Sequence, residues 1–336
     1  MTQEKKYQIT AISDALTDII IELDDESIEK LGLKKGVSIV IDDAMFARFR
    51  SVIDKDKMVI SPGGSPTNVI YGASNLGLKC AFLGCVGNDD FGYDYINNLR
   101  ENNIDTYISI KQGDSGRCFT FISPDGQRSF GIDFGITKQL YPYEILHSLI
   151  RDSEYLHFSA YEFRGNNPIN EATGYAIEQA RKYDTKISFD LGDSGVILEA
   201  KDQLKEKLFN EKIDILFANE NEAEALCGNR EFESLLQYSK LVVVKLGSEG
   251  SIAYTPDGSV KEDAYKVDQV KDTNGAGDNF QAGFFYGLHK KLPLNTCLKI
   301  GNFLASNIIK RIGAQSQVKI EGIEYIIWLE IKAAKL

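Results

Sequence analysis

The stretch Asp272-Thr273-Asn274-Gly275-Ala276-Gly277-Asp278-Asn279-Phe280 decides how the remainder of the chain reads. Gly275, Ala276 and Gly277 are too small to screen their own backbone N–H groups, and the residues after them, to about Lys290, have helical character. A loop of this kind opening a helix presents unpaired donors and the positive end of a macrodipole, a suitable seat for an anion. Asp278 adds a carboxylate in the first turn of the same helix. An anion seat with an acid beside it points to transfer of a charged group onto a nucleophile that must lose a proton.

Working outward, the segment before this stretch repeats a strand-then-helix rhythm. Tyr155–Ser159, Lys186–Asp190, Asp214–Ala218 and Leu241–Leu246 read as short apolar strands. Segments 142–151, 170–183, 199–210 and 221–238 between them have helical character, and 295–311 and 321–334 read as closing helices. Short buried strands alternating with helices indicate an α/β body, a parallel sheet covered on both faces. Toward the N-terminus, Tyr7–Ile12 and residues 79–87 read as further strands, with helices over 68–76 and 91–102. The isoleucine- and acid-rich segment 18–43, and segment 106–135 with its Ser123-Pro124-Asp125-Gly126-Gln127 turn, predict a small β-sheet lid on one domain spanning 1–336.

In a parallel sheet, ligands collect at the carboxyl ends of strands. Asp14 and Asp18 follow the first strand, Asn219 and Glu222 follow Phe217-Ala218, and Gly247 and Gly250 follow Lys245-Leu246. Asp272–Asp278 follow a stretch around Val267–Val270. Alone, Asn219 would read as a helix cap, Glu222 as a solvated first-turn acid and the glycines as turn residues. Their repeated placement after strands favours one shared site. Gly283 and Gly287 read as positions that let the helix approach the sheet, beside an apolar stripe of Phe280, Phe284 and Leu288.

Composition narrows the partners. The 336 residues carry 38 Lys and Arg against 49 Asp and Glu, a net charge of −11, which disfavours nucleic-acid backbones and anionic membranes as general partners. The N-terminus has no apolar run of signal-peptide type, and no stretch is long and apolar enough to span a bilayer, so a cytoplasmic location is expected. The five cysteines show no C-x-x-C spacing and read as free thiols. A P-loop fails because Gly92 is followed by Tyr93, and the three histidines are too scattered for a metal site.

Asp272–Asp278 resembles the C-terminal motif of the ribokinase or PfkB family of carbohydrate and nucleoside kinases. Gly63-Gly64 with Asn68, and Gly84–Gly92, look like that family's N-terminal motif. Asn219-Glu220-Asn221-Glu222 is similar to its N-x-x-E element, and Lys245–Gly250 to its nucleotide-contact turn. Ala15–Asp18, Gly116–Phe119 with Gln127–Phe130, and Asn219–Leu226 look more like the nucleoside branch, although Ser13-Asp14 stands where that branch has Gly-Asn.

The resemblance implies a ribokinase-like fold and ATP-dependent phosphorylation of a primary hydroxyl, first the 5′-OH of a purine ribonucleoside: adenosine, with inosine and guanosine as relatives. A kinase for ribose, fructose or a keto-deoxy sugar acid is the second reading, and a non-catalytic ligand-binding protein on the same fold the third. It further implies that Asp278 takes the hydroxyl proton while Gly275, Ala276 and Gly277 hold the transferred phosphoryl. Asp14, Asp18, Gly63, Gly64 and Asn68 would bind the acceptor, and Arg128 from the hairpin would reach the phosphate. Asn219 and Glu222 would organise Mg²⁺ through water at the phosphates, and Gly247, Gly250 and Asn302 would border ATP. Gly313-Ala314-Gln315 with Asp272 is similar to a loop that binds a monovalent cation in some members, which implies K⁺. The implied partners are ATP and one small molecule, with no nucleic acid or membrane, in a monomer or homodimer.

Overall fold

Strands alternating with helices build a nine-stranded sheet and a separate five-stranded one. The computed structural model describes residues 5–33, 38–41, 43–52, 58–125, 128–316, 318, 319, 321 and 323–325. In chain order the large sheet takes β1 (Tyr7–Ile12), β5 (Cys80–Gly87), β6 (Ile104–Lys111), β9 (Ser153–Ser159), β10 (Lys186–Asp190), β11 (Ile213–Asn219), β12 (Ser239–Lys245), β13 (Ser251–Thr255) and β14 (Gly258–Glu262). The small sheet takes β2 (Leu16–Glu22), β3 (Ser38–Val40), β4 (Val59–Pro62), β7 (Gly116–Ile122) and β8 (Arg128–Asp133).

Across the large sheet the order is β14-β13-β12-β11-β10-β9-β1-β5-β6. From β12 to β6 all pairs are parallel, and β13–β14 forms an antiparallel hairpin at one edge. One face packs α5 (His147–Arg151), α6 (Pro168–Lys182), α7 (Ser194–Lys207) and α8 (Glu220–Cys227). The other packs α3 (Ser65–Asn75), α4 (Asp90–Glu101), α9 (Ala276–His289) and α10 (Leu294–Ile308). Because β5 and β6 extend on one side of β1 and β9 onward on the other, the winding direction reverses between β1 and β9. At such a switch point the helices leave a crevice outside the strand ends.

The small sheet follows the period of two that strands impose. Ile19, Ile21, Phe119 and Phe121 pack with Ile28 of α1 (Asp25–Lys30), Leu31 at its C-cap and Phe49 of α2 (Asp43–Val52). Leu16, Asp18, Cys118 and Thr120 point to the opposite face, into the cavity over the large sheet's strand ends.

Several expectations are corrected here. Residues 106–111 belong to β6 in the large sheet, while β4, outside both anticipated inserts, joins the small one. No strand lies at 267–270; the chain between β14 and α9 has no regular structure. Segment 221–238 is two pieces, because α8 ends at Gly228, whose φ of 81° closes a helix without a Cβ clash, and a short 3₁₀ helix follows at Phe232–Gln237. Segment 142–151 likewise divides into a 3₁₀ turn at Pro142–Glu144 and α5. Gly283 and Gly287 face α10, not the sheet: a Cβ at 283 would lie 2.8 Å from the Ile300 carbonyl oxygen, and one at 287 would lie 2.7 Å from Cys297 Sγ. Most of the anticipated 321–334 helix lies outside the described residues.

Candidate active site

The strand-end crevice holds a cavity of about 960 Å³, lined from both sheets. That is near the upper end for ligand pockets and leaves room for more than one small molecule. Its floor is a row of strand ends. Asp190 closes β10, Asn219 closes β11 and Lys245 closes β12, with Asn219 and Lys245 directly paired in register.

At one end stands the helix start read from the sequence. Gly275 caps α9 with φ 71°, and a Cβ there would come within 2.7 Å of Ala314, so only glycine fits. The N–H groups of Gly277 and Asp278 find no carbonyl among the described residues, as expected for the first turn of a helix. Ala276 is different: its N–H turns back to the Thr273 carbonyl at 3.2 Å. The seat is therefore built around Gly275 and Gly277, both of which line the cavity. Asp272 ties the loop down, one oxygen accepting from the Asn274 N–H at 2.7 Å and the other from the Gly313 N–H at 2.8 Å.

Asp278 faces this cavity from the first turn of α9. Ser65 Oγ donates to its Oδ1 at 2.7 Å and Asn68 Nδ2 to its Oδ2 at 2.9 Å. Both donors come from the first turns of α3, which starts at Ser65 because Pro66 is tolerated where the helix has no N–H bond to lose. Burial raises the Asp278 pKa to about 6, against the lowering effect of those hydrogen bonds, with Asp190 pushing it further up. A carboxylate so held is charged at neutral pH and basic enough to accept a proton.

Asn219 and Glu222 form a reciprocal capping box. Glu222 Oε2 accepts from the Asn219 N–H at 2.7 Å, and Asn219 Oδ1 from the Glu222 N–H at 2.9 Å. The cap reading is thus realised, and the two residues also line the cavity. Burial lifts Glu222 to about 7, opposed by Lys245 and reinforced by Asp190. No cluster of three or more metal-binding side chains occurs among the described residues. That donor set suits Mg²⁺, which keeps most of its waters and takes one or two carboxylates together with phosphates.

The opposite end lies at the switch point. Gly63 has no Cβ because that atom would fall 2.4 Å from Asp18 Oδ1, so the small sheet's carboxylate nests against the start of α3. Asp14 is buried, and burial raises its pKa while Lys138 Nζ, 2.5 Å from Oδ2, pulls it down. The extra charge at Ser13-Asp14 is therefore matched inside the protein. Asp14 Oδ1 and Asn68 Oδ1 remain buried with no hydrogen-bond partner among the described residues, in two residues that line the cavity. Glu162, after β9, accepts from the Ser159 N–H at 2.7 Å and is pushed by burial and by Asp14 to about 7. Arg164 also lines the cavity, and on the small-sheet side Leu16, Ile39, Val40, Phe130, Ile132 and Phe134 supply apolar surface around Asp18, Cys118 and Thr120.

Gly247 lines the cavity, whereas Gly250 and Asn302 do not. A Cβ at Gly250 would lie 2.0 Å from the Glu262 carbonyl oxygen, and Asn302 Nδ2 donates to that same oxygen at 3.2 Å and to Asp263 at 3.1 Å. Both residues fasten the chain leaving β14 and shape the turn that carries Gly247. Arg128 opens β8, but its side chain lies outside the described ones. Sequence reading did not single out Lys138, Glu162, Asp190 or Lys245 as site residues. Of these, Asp190 and Lys245 carried a signal, being polar residues ending apolar strands.

Comparison with known proteins agrees with this geometry. The pfkB family carbohydrate kinase profile matches residues 25–321. A 5-dehydro-2-deoxygluconokinase of Bacillus thuringiensis (strain Al Hakam) is 30% identical over 266 residues, covering 74% of this chain and 80% of that protein. Among solved structures, the adenosine kinase from Sinorhizobium meliloti superposes with a TM-score of 0.87 at 28% identity, covering 95% of this chain and 99% of that one. A "probable sugar kinase protein" from Rhizobium etli CFN 42 gives the same TM-score of 0.87 at 25% identity, over 96% and 98%. The strand-end cavity, the glycine-opened helix with Asp278 in its first turn and the N-x-x-E cap thus stand in a chain that belongs to the pfkB family of carbohydrate kinases.

Proposed function

We propose that the chain transfers the γ-phosphoryl group of ATP to the 5′-hydroxyl of a purine ribonucleoside, adenosine first. The acceptor-end geometry carries this reading. Asp18, nested against Gly63, offers a carboxylate to a vicinal diol. Beside it Leu16, Ile39, Val40, Phe130, Ile132 and Phe134 form an apolar wall broad enough for a flat base. The small sheet acts as a lid whose closure keeps water from competing as acceptor.

In the reaction Asp278, fixed by Ser65 and Asn68, takes the proton of the attacking hydroxyl. Gly275, Gly277 and the N-terminus of α9 hold the negative charge developing on the moving phosphoryl. Asn219 and Glu222 would hold Mg²⁺, most of whose ligands would be water and phosphate oxygens; the ion would neutralise charge on the polyphosphate. Gly247 borders the nucleotide. K⁺ would bind, if anywhere, at the Asp272–Gly313 loop, by the resemblance of that loop to a monovalent-cation loop; replacing K⁺ by Na⁺ in the assay leaves the rate unchanged if the loop holds none.

A keto-deoxy sugar acid is the second reading, favoured by one observation: Lys138 and Arg164 at the acceptor end supply cations suited to a substrate carboxylate. The relatives named 5-dehydro-2-deoxygluconokinase are compatible with it. An ATP-consumption assay with adenosine, inosine, guanosine, ribose, fructose and 5-dehydro-2-deoxygluconate separates the two. Turnover of the sugar acid with none of adenosine would replace the first reading by the second.

A further inference from the structure

We infer that Lys245 is a phosphate-contacting residue of this site, its ammonium placed beside the α9 helix start to meet the γ-phosphoryl group of the nucleotide. The inference rests on the phosphotransferase reading but is independent of which acceptor is used.

Lys245 ends β12 at the cavity floor, and its side chain is 15% exposed. The Cβ that Gly277 lacks would lie 3.0 Å from Lys245 Nζ, so the ammonium stands against the backbone of the anion seat. Among the described residues its hydrogen bonds go to Asp190 alone, at 3.1 Å to Oδ1 and 3.5 Å to Oδ2. An ammonium has three donors, so capacity remains for a ligand. Asp190 does not need the lysine for all of its own satisfaction, since Gln281 Nε2 donates to its Oδ2 at 2.7 Å.

The charge balance argues the same way. Asp190, Glu222 and Asp278 all face Lys245, and His157 lies near enough to feel it. Burial disfavours the ammonium, yet those carboxylates hold its pKa above the ordinary lysine value. A wall with several carboxylates repels a polyphosphate unless cations stand among them. Among the described residues, Lys245 is the side-chain cation at this end of the cavity, next to the seat toward which the helix dipole also points. A residue serving only as the Asp190 counter-ion would have no reason to lie against Gly277.

Calorimetric titration with Mg·AMP-PNP and Mg·ADP, which differ by the γ-phosphoryl group, tests this without any acceptor. Lys245→Met is expected to weaken Mg·AMP-PNP by about tenfold to a hundredfold, the loss typical of a hydrogen bond to a charged group, with Mg·ADP changed less than about threefold. Lys245→Arg should retain part of the difference. Equal weakening of both nucleotides, or of neither, would overturn the assignment. If Lys245→Met does not fold, Asp190→Asn/Lys245→Met removes both buried charges together and supports the same comparison. A wild-type chain that binds neither nucleotide would instead sink the phosphotransferase reading, and this inference with it.

Discussion

The two ends of the cavity are built by different means. At the phosphoryl end, backbone does much of the work: a helix start, a loop tied by Asp272 and three adjacent strand ends set the geometry, and side chains add charge to it. At the acceptor end, side chains from separate segments converge, with Asp14 after β1, Lys138 after β8, Glu162 after β9 and an apolar sheet face opposite. The first arrangement constrains chemistry and tolerates few alternatives. The second depends on individual side chains, and under the proposed function it is the end that would select what is phosphorylated. One solved structure named for adenosine and one named for sugar share this fold with a TM-score of 0.87 each.

The comparison breaks first at Asp278. Asp278→Asn is expected to lower kcat by about 10²–10⁴, the usual contribution of a general base, while acceptor binding persists. Near-normal turnover would move the base elsewhere. With the Asp278 pKa near 6, kcat should also fall as pH drops through that value, because the protonated acid accepts nothing.

Next is the buried pair at the acceptor end. Lys138→Met strands Asp14, 3% exposed, without its cation, and is expected to cost about 3–5 kcal/mol in urea unfolding. Asp14→Asn/Lys138→Met should recover most of that loss. If the single and double variants unfold alike, the pair is not the coupled unit described.

A third effect has the opposite sign. An acid whose folded pKa is raised contributes stability in full below its unfolded pKa, near 4, and loses it as pH rises through about 6. Above that pH the charged Asp278 is a cost, so Asp278→Asn should stabilise the fold there. A gain of about 1–2 kcal/mol is expected, discounted because the carboxylate faces an open cavity. It should vanish in thermal melts at pH 4.

Asp18→Ala sharpens the division between the ends. It should raise the acceptor KM by about tenfold to a hundredfold, for loss of hydrogen bonds to a charged group, and leave the ATP KM alone. The smallest effect is expected far from either end: Lys30→Ala removes an exposed i, i+4 pair with Glu26 and should change stability by less than about 0.5 kcal/mol.

The same division explains what the sequence could disclose. The phosphoryl end is legible because its parts are contiguous: small residues, helix start and base lie within Gly275–Asp278, and the N-x-x-E cap within Asn219–Glu222. Strands β9 to β12 are legible as apolar runs because both of their faces are buried. The Asp14–Lys138 pair spans 124 positions and the Asp190–Gln281 bond 91, separations at which no local pattern signals contact. β4 was missed for another reason. It is a short edge strand whose Val59 and Ile60 are half exposed, so it carries little of the burial pattern by which strands are recognised. Lys245 was seen as part of a turn and not as a cation beside the anion seat, because its position depends on how α9 docks against β12.

One stretch carries a mechanical consequence. Val59–Pro62 pairs with Asp18's strand, Gly63 and Gly64 follow at once, and Ser65 and Asn68 then grip the Asp278 carboxylate. Edge strand, glycine pair and the two donors to Asp278 are thus consecutive along one short piece of backbone. In the proposed reaction, movement of the small sheet would reach the groups that hold Asp278, so that capture of the acceptor and readiness for transfer would share one lever. Gly64→Ala, strained at a φ of 94° and with its Cβ 2.7 Å from the Asp14 carbonyl oxygen, forces this segment to shift and should change kcat and acceptor KM together, whereas separate lid and catalytic units would let one move without the other.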